Sequence, residues 1–380
     1  MYQCKMPKAV YCGTGALEQL KSICDNAKHI ALFSDRGIER SGALEIPLRY
    51  IREAGAEVTL FLDLPAEPTR DQAQSVVVAF HACQADTIVA VGGGSVMDIA
   101  KLCSILANSH NTVNDLLDHP TIGKRLVSSV MIPTTAGTGA EATPNAIVLV
   151  PEKELKVGIV CEEMIPDAVI LDGEMIRRLP VHIAASTGID ALCHAIECYT
   201  SRKATPFSNL YALEALRLIF ANIEPACTDP EALDSKNAML LAAFYAGVAI
   251  SCSGTTAVHA LSYPLGGKYH IPHGVANAMM LMPVMRFNLP CCQAELAQVY
   301  DALGQQGACK IAAKAEWVLK RMEDIVSRLQ IPTDLKKYGV SINDLDSLVT
   351  AGMDVQRLLV NNKRSVSAED ARALYLELLQ

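Results

Sequence analysis

No Cys-x-x-Cys pair occurs among the 13 cysteines of this 380-residue chain, and their number is odd. A disulfide framework and a thiolate zinc site are both unsupported. Scattered thiols, with Cys291-Cys292 the sole adjacent pair, behave instead as small buried hydrophobes in a reducing compartment. Dense Lys/Arg blocks are missing too, and a formal charge of −8 with a pI near 5.6 argues against a nucleic-acid or anionic-membrane surface. The apolar runs are short and interrupted, and the start, Met1-Tyr-Gln-Cys-Lys-Met-Pro, carries no signal-peptide pattern, so a soluble cytoplasmic protein is expected. There is no internal repeat, no low-complexity segment, no Gly-x-Gly-x-x-Gly fingerprint and no Gly-x-Ser-x-Gly nucleophile elbow.

What remains is ample apolar material: 51% hydrophobic against 19% charged residues, enough for a large core. The length fits about two domains. Up to about residue 178 short β-branched runs alternate with amphipathic stretches. The expected strands are 29–34, 57–62, 87–91, 126–132 and 146–150, with helices such as 69–83 and 96–108 between them. That alternation predicts an α/β domain with a parallel sheet covered on both faces. From Pro180 the pattern changes to long Ala/Leu-rich segments of 3.6-residue period (207–223, 234–250, 292–303, 312–329, and 367–379 with Ser367 at its N-cap), which predicts an all-α second domain, 179–380, after the first, 1–178.

Four residues of the second half suggest one metal site. Asp190 and His194 stand at i and i+4 of an expected helix, which puts a carboxylate and an imidazole one turn apart on one face. His259 opens a second polar cluster that ends at His273. One Asp and three neutral His suit a borderline cation, Fe(II) or Zn(II), with a position left for substrate. A single histidine is more often a satisfied core or surface imidazole, so the reading depends on all four converging.

In the first half, Gly92-Gly93-Gly94-Ser95 follows a strand and opens a helix, where a close backbone approach and free N–H groups suit a pyrophosphate. A second strand-then-loop, Ile132 to Glu141, brings hydroxyls able to donate to phosphate or ribose. Either loop alone is equally well a tight turn; two at strand ends favour a nucleotide site. Asp35 ends the first clear strand, where a carboxylate accepts from an adenosine ribose and favours NAD over NADP. It is also suited to an Asx-turn before Gly37, and Arg36 beside it could neutralise a 2′-phosphate.

Together these blocks resemble one family. Gly92-Gly-Gly-Ser-Val-Met-Asp98 with Ala100-Lys101, Pro133-Thr-Thr-Ala-Gly-Thr-Gly-Ala-Glu141, Gly188 to Glu197, and His259 through Pro272-His-Gly274 follow the order and spacing of the iron-containing, group III alcohol dehydrogenases. The resemblance implies a dinucleotide-binding α/β domain, a helical domain, a metal in the cleft between them, and a homo-oligomer, most often a dimer. It implies Asp190, His194, His259 and His273 as metal ligands, and Gly92, Gly93, Gly94, Ser95 and Asp98 as the pyrophosphate loop. Thr134, Thr135 and Thr138 match nicotinamide-side contacts, Asp35 the adenosine-ribose residue, Lys156 a lysine reaching the cofactor ribose, and Asn145 a residue beside the substrate. Two departures stand out: Tyr263 replaces a histidine thought to relay protons, and Asn362-Lys-Arg364 replaces Asn-Pro-Arg.

The chemistry expected is hydride transfer between NAD(H) and a small primary alcohol or aldehyde, the metal polarising the substrate oxygen. Proton transfer would run through His270, the cofactor ribose or water, since the Tyr263 phenol is a poor shuttle at neutral pH. His270 is equally suited to orienting its neighbours. Ile250 and Leu358 are candidates for an apolar substrate pocket, and Glu141 and Glu197 are expected to orient backbone or cap helices. A hydroxy-acid or semialdehyde dehydrogenase of the same family stays open, because one pocket Arg or Lys would bind a carboxylate. A dehydroquinate synthase-like lyase ranks lower, for want of a basic cluster around 259–273 beyond Lys268.

Overall fold

The computed structural model describes residues 2–153 and 155–379. The chain divides into two compact units, one of residues 5–179 with 230–244, the other of 1–4, 180–229 and 245–380.

The first unit is built on a six-stranded sheet. Its strands are β1 (Ala9–Cys12), β2 (His29–Phe33), β3 (Glu57–Phe61), β4 (Thr87–Gly92), β5 (Ser128–Pro133) and β8 (Ala168–Leu171), in the order β1-β8-β5-β4-β2-β3 and parallel throughout. The inner strands read as continuous apolar runs because both faces are covered: β8 and nearly all of β2, β4 and β5 are buried, while edge strands β1 and β3 are not. Registers such as Phe33↔Ala90 and Gly92↔Pro133 align the carboxyl ends of β2, β4 and β5 side by side. The loops carrying Asp35, the glycines and the threonines therefore leave one edge of the sheet together, where ligands of such sheets bind.

One expected strand is corrected. Segment 146–150 does not join the sheet; β6 (Asn145–Val150) pairs antiparallel with β7 (Leu155–Val160) in a separate ribbon. Its burial alternates residue by residue, so only one face is covered, which its unbroken apolar sequence concealed. β1 and β8 are further strands that the sequence reading did not include.

The second unit is helical, as expected. The helices that matter for the site are α1 (Val181–Thr200), α2 (Leu233–Ser253), α3 (Ala257–Tyr269), α4 (His273–Ala302) and the single turn α5 (Gln356–Leu359). α2 begins in the residues of the first unit and ends in those of the second. By length and a mean hydropathy of 1.2 it is apolar enough to cross a membrane, and 56% of that stretch is buried in the protein, as in a core helix. The segment expected as a helix at 292–303 is the end of α4, which bends at Cys292 (φ −130°, ψ 18°) just after Pro290. Ser367 caps the last helix as expected, with Asp370 completing the capping box.

Candidate functional site

The helical unit brings the four candidate ligands to one point. One donor atom from each of Asp190, His194, His259 and His273 lies within 4.8 Å of all the others. Asp190 and His194 come from α1, one turn apart as their spacing required; His259 lies in the first turn of α3 and His273 opens α4. Asp190 Oδ1 lies 3.8, 3.6 and 3.7 Å from Nε2 of His194, His259 and His273. The rings of His194 and His259 stack at 4.5 Å. Asp190, His194 and His259 are buried, whereas the His273 side chain is 34% exposed, so the cluster opens on that side.

Glu197, one turn beyond His194 on α1, organises His259. Its Oε2 meets His259 Nδ1, while Oε1 accepts from Thr256 N (2.9 Å), Thr256 Oγ1 (2.7 Å) and Val258 N (2.9 Å). Thr256 supplies no side-chain cap to α3, so a carboxylate from another helix caps it. The same carboxylate accepts a hydrogen bond from Nδ1–H, so that the neutral ring, the form that binds a cation, presents its Nε2 lone pair to the cluster. The expectation that Glu197 orients backbone or caps a helix is met, and orienting a ligand is added to it. Burial works against a charged imidazole at His259, but Glu197 and Asp190 outweigh it and push its pKa up to about 10. Burial likewise opposes an ionised Asp190, and the imidazoles of His194 and His273 nevertheless hold it far below the carboxylate range. Such a site draws positive charge.

Asn277 is the residue sequence reasoning missed. It stands one turn after His273 on α4, fully buried, and its Nδ2 lies 2.7 Å from Asp190 Oδ1, 3.0 Å from His259 Nε2 and 3.2 Å from His273 Nε2. An amide nitrogen has two protons to share among those three atoms. Ser262 fixes the amide by donating to Asn277 Oδ1. The signal was available: 273 to 277 repeats the i, i+4 spacing of Asp190 and His194. A carboxylate and three imidazoles converging on one point fit a divalent cation of the Fe(II) or Zn(II) kind.

The other candidates of this unit divide. Tyr263 lies at the cluster, its ring 6.5 Å from that of His259 and 6.1 Å from that of His273. His270 is exposed, caps the end of α3 in the left-handed region (φ 53°), and among the described residues makes no side-chain hydrogen bond or ring contact with the cluster. Lys268 is engaged by Asp344 (3.2 Å) and Ser347 (3.0 Å). Ile250 is half-buried near the end of α2, and Leu358 is buried in α5.

In the sheet unit the two loops pack against each other. A Cβ on Gly94 would come within 3.1 Å of Thr138 Oγ1 and Cγ2, and one on Gly93 within 3.6 Å of Thr135 Oγ1; Thr134 N donates to Gly92 O at 3.0 Å. Gly92 has no room either, since a Cβ would meet Val96 Cβ at 2.5 Å. Ser95 and Lys156 reach one another through Glu67: its N–H donates to Ser95 Oγ (3.3 Å) and its carboxylate takes Lys156 Nζ (2.6 Å). Asp98 is held inside, accepting from Ile147 N (2.9 Å) and facing Lys101 Nζ at 3.5 Å. Lys101 is itself fully buried and donates to Asn145 O (2.8 Å) and Thr143 Oγ1 (3.3 Å), which ties the helix after the glycines to the start of β6. Burial pushes the nearby Glu141 carboxyl up to about 7 against the pull of Lys101. Asp35 makes the Asx-turn, accepting from Gly37 N (2.7 Å) and Ile38 N (2.9 Å), and Arg36 is held by Asp63 and Glu39.

A parallel α/β unit and a helical unit holding an Asp-His-His-His cluster define an oxidoreductase once known proteins are set beside them. The family model "Iron-containing alcohol dehydrogenase" matches residues 7–173, and "Fe-containing alcohol dehydrogenase family, C-terminal" matches 184–379. The chain is 32% identical over 375 residues to long-chain-alcohol dehydrogenase 1 of Geobacillus thermodenitrificans (97% of this chain, 94% of that one). It is 32% identical to the NAD-dependent methanol dehydrogenase of Bacillus methanolicus (90% and 91%). The crystal structure of a 1,3-propanediol oxidoreductase superposes with a TM-score of 0.92 at 29% identity, covering 100% of both chains. This protein belongs to the iron-containing alcohol dehydrogenase family.

Proposed function

We propose that the protein transfers a hydride between NAD(H) and a small primary alcohol or aldehyde, with Asp190, His194, His259 and His273 holding Fe(II), or Zn(II) in its place. The observation that carries this reading is the convergence of those four donors within 4.8 Å. When bound, the cation is a Lewis acid for the substrate oxygen, and the nicotinamide supplies or takes the hydride. In aldehyde reduction the carbonyl carbon gains the hydride, the C=O π bond becomes a C–O single bond, and the oxygen takes one proton.

The chain's own residues do the rest. Glu197 and Asn277 keep the donors aimed at one point. Gly92, Gly93, Gly94 and Ser95 leave backbone N–H groups at a helix start for the pyrophosphate, and Thr134, Thr135, Thr138 and Lys156 flank the nicotinamide half. Asp98 supports that loop from inside, through Lys101 and Ile147 N. Asp35 accepts from the adenosine ribose, and the engagement of Arg36 by Asp63 and Glu39 supports NAD rather than NADP. Asn145 of the sheet unit and Ile250 and Leu358 of the helical unit are assigned to substrate, and Tyr263, with His270 farther out, hands protons to and from solvent. In this reading residues 1–178 form the dinucleotide-binding domain and 179–380 the metal-binding domain of a cytoplasmic homodimer.

The test is NADH oxidation by the full chain loaded with Fe(II) or Zn(II), against small aldehydes. Turnover that vanishes on chelation and returns with metal is expected; turnover surviving complete chelation, or none with any aldehyde, overturns the proposal.

A further inference from the structure

Every arginine of the helical unit but one is engaged by a carboxylate, as Arg321 is by Glu224, or donates to a main-chain carbonyl, as Arg202 and Arg364 do. The exception is Arg357, on α5. Among the described residues no carboxylate lies in salt-bridge reach of it and no carbonyl accepts from it. What holds it is the Tyr263 ring, with the guanidinium carbon 5.7 Å from the ring centroid. Tyr263 in turn stands beside the metal-type cluster, 6.1 Å from the His273 ring and 6.5 Å from that of His259. Together these distances bound the guanidinium to within about 12 Å of the His273 ring, on the one ligand that is open to solvent. Leu358, proposed for the substrate side, is its neighbour in the same turn.

We propose that Arg357 is the anion-recognition residue of the substrate site, and that the preferred substrates are short aldehydes or primary alcohols ending in a carboxylate, sulfonate or phosphonate. The inference rests on the reading that substrate oxygen binds at the Asp190-His194-His259-His273 cluster. The distances permit it: about 12 Å is the upper bound on the separation, and a charge-assisted N–H···O bond of about 2.8 Å followed by three or four carbons at roughly 1.5 Å per bond falls inside it. Chemistry agrees as well. A planar guanidinium offers paired donors that match a carboxylate or sulfonate, and the exposed Arg357 side chain lies within cation–π reach of the Tyr263 ring. Tyr263 thereby acquires a second role beside the one proposed for it in proton transfer: it stands between the anion site and the reacting centre.

The experiment compares succinic semialdehyde with butanal, equal in carbon number and different in the terminal carboxylate, on the metal-loaded full chain with NADH. Calorimetric titration of the same protein with succinate, which cannot react, runs beside it. The expected kcat/KM ratio favours succinic semialdehyde by at least about tenfold. Arg357→Gln lowers that ratio by about 10- to 100-fold, chiefly through KM, Arg357→Lys restores part of it, and succinate binding weakens in parallel. Butanal turned over as well as the anion by the native protein, or a ratio unchanged in Arg357→Gln because both substrates fall together, overturns the assignment. If neither aldehyde is turned over, the dehydrogenase reading fails separately and the titration alone decides Arg357. Succinate binding lost in Arg357→Gln then supports the anion site, and binding that is absent or unchanged overturns it.

Discussion

Replacing Glu197 by Gln exchanges one charged carboxylate oxygen for an uncharged NH2 at almost no change in volume, yet it should weaken metal binding sharply. Oε1 of Glu197 faces four donors, from Thr256 N, Thr256 Oγ1, Val258 N and His259 N, and Oε2 faces His259 Nδ1. In Glu197→Gln those four donors keep the amide oxygen, so the NH2 group turns to His259 Nδ1. Nδ1 must then accept rather than donate, the ring proton moves to Nε2, and the lone pair aimed at the cluster is lost. Loss of an outer partner of a ligating histidine typically lowers metal affinity by about 10- to 100-fold. With the tautomer also inverted, the upper end is expected, about 100-fold or roughly 2.7 kcal/mol. In the metal-free protein the cap on α3 survives but the buried Glu197–His259 pair is lost, which lowers stability; Glu197→Ala removes the cap as well and costs about 1–2 kcal/mol in addition. Competition titration of Zn(II) against a chromophoric chelator measures the first effect and urea denaturation the second. Glu197→Gln binding metal within about threefold of the native affinity would refute the reasoning.

Two further outcomes follow from the sheet unit. Glu141, with its pKa raised to about 7 by burial against an unfolded value of 4.5, keeps its proton longer in the folded than in the unfolded chain. Its contribution to stability is therefore fully present below about 4.5 and lost as pH rises through about 7. Glu141→Gln should exceed the native stability by up to about 3 kcal/mol near pH 8 and lose that margin below about pH 5, as read from urea midpoints across pH; parallel native and variant curves would contradict this. Gly94→Ala, whose Cβ would meet Thr138 at 3.1 Å, should part the two loops and weaken NADH binding about tenfold by fluorescence titration, and an unchanged Kd would show that the loops do not hold the cofactor.

Much of this was legible in the sequence because it depends on local spacing. The i, i+4 pair Asp190/His194 became a shared helix face, Ser367 became an N-cap, and the apolar runs of β2, β4 and β5 became buried inner strands. What escaped depends on long-range pairing. Nothing local distinguishes 145–150 from a strand of the sheet; its partner β7 and the one-sided burial that results are settled by tertiary packing. The buried Lys101 reads as an ordinary helix lysine until its contacts with Asp98, Thr143 and Asn145 are in place. Asn277 carries no titratable group, so a search for metal ligands passes over it. Arg357 is likewise silent in the sequence, because its significance lies in the Tyr263 ring beneath it, nearly a hundred positions away in the chain.

The central claim is that Asp190, His194, His259 and His273 hold a single divalent cation on which turnover depends. Metal content per chain after Fe(II) or Zn(II) loading and exhaustive dialysis, measured for the native protein and for His259→Ala together with NADH-dependent aldehyde reduction, tests it directly. One ion per native chain is expected, with ion and activity lost together in His259→Ala. Full metal retention by His259→Ala, or activity in a chain from which all metal has been removed, would contradict it.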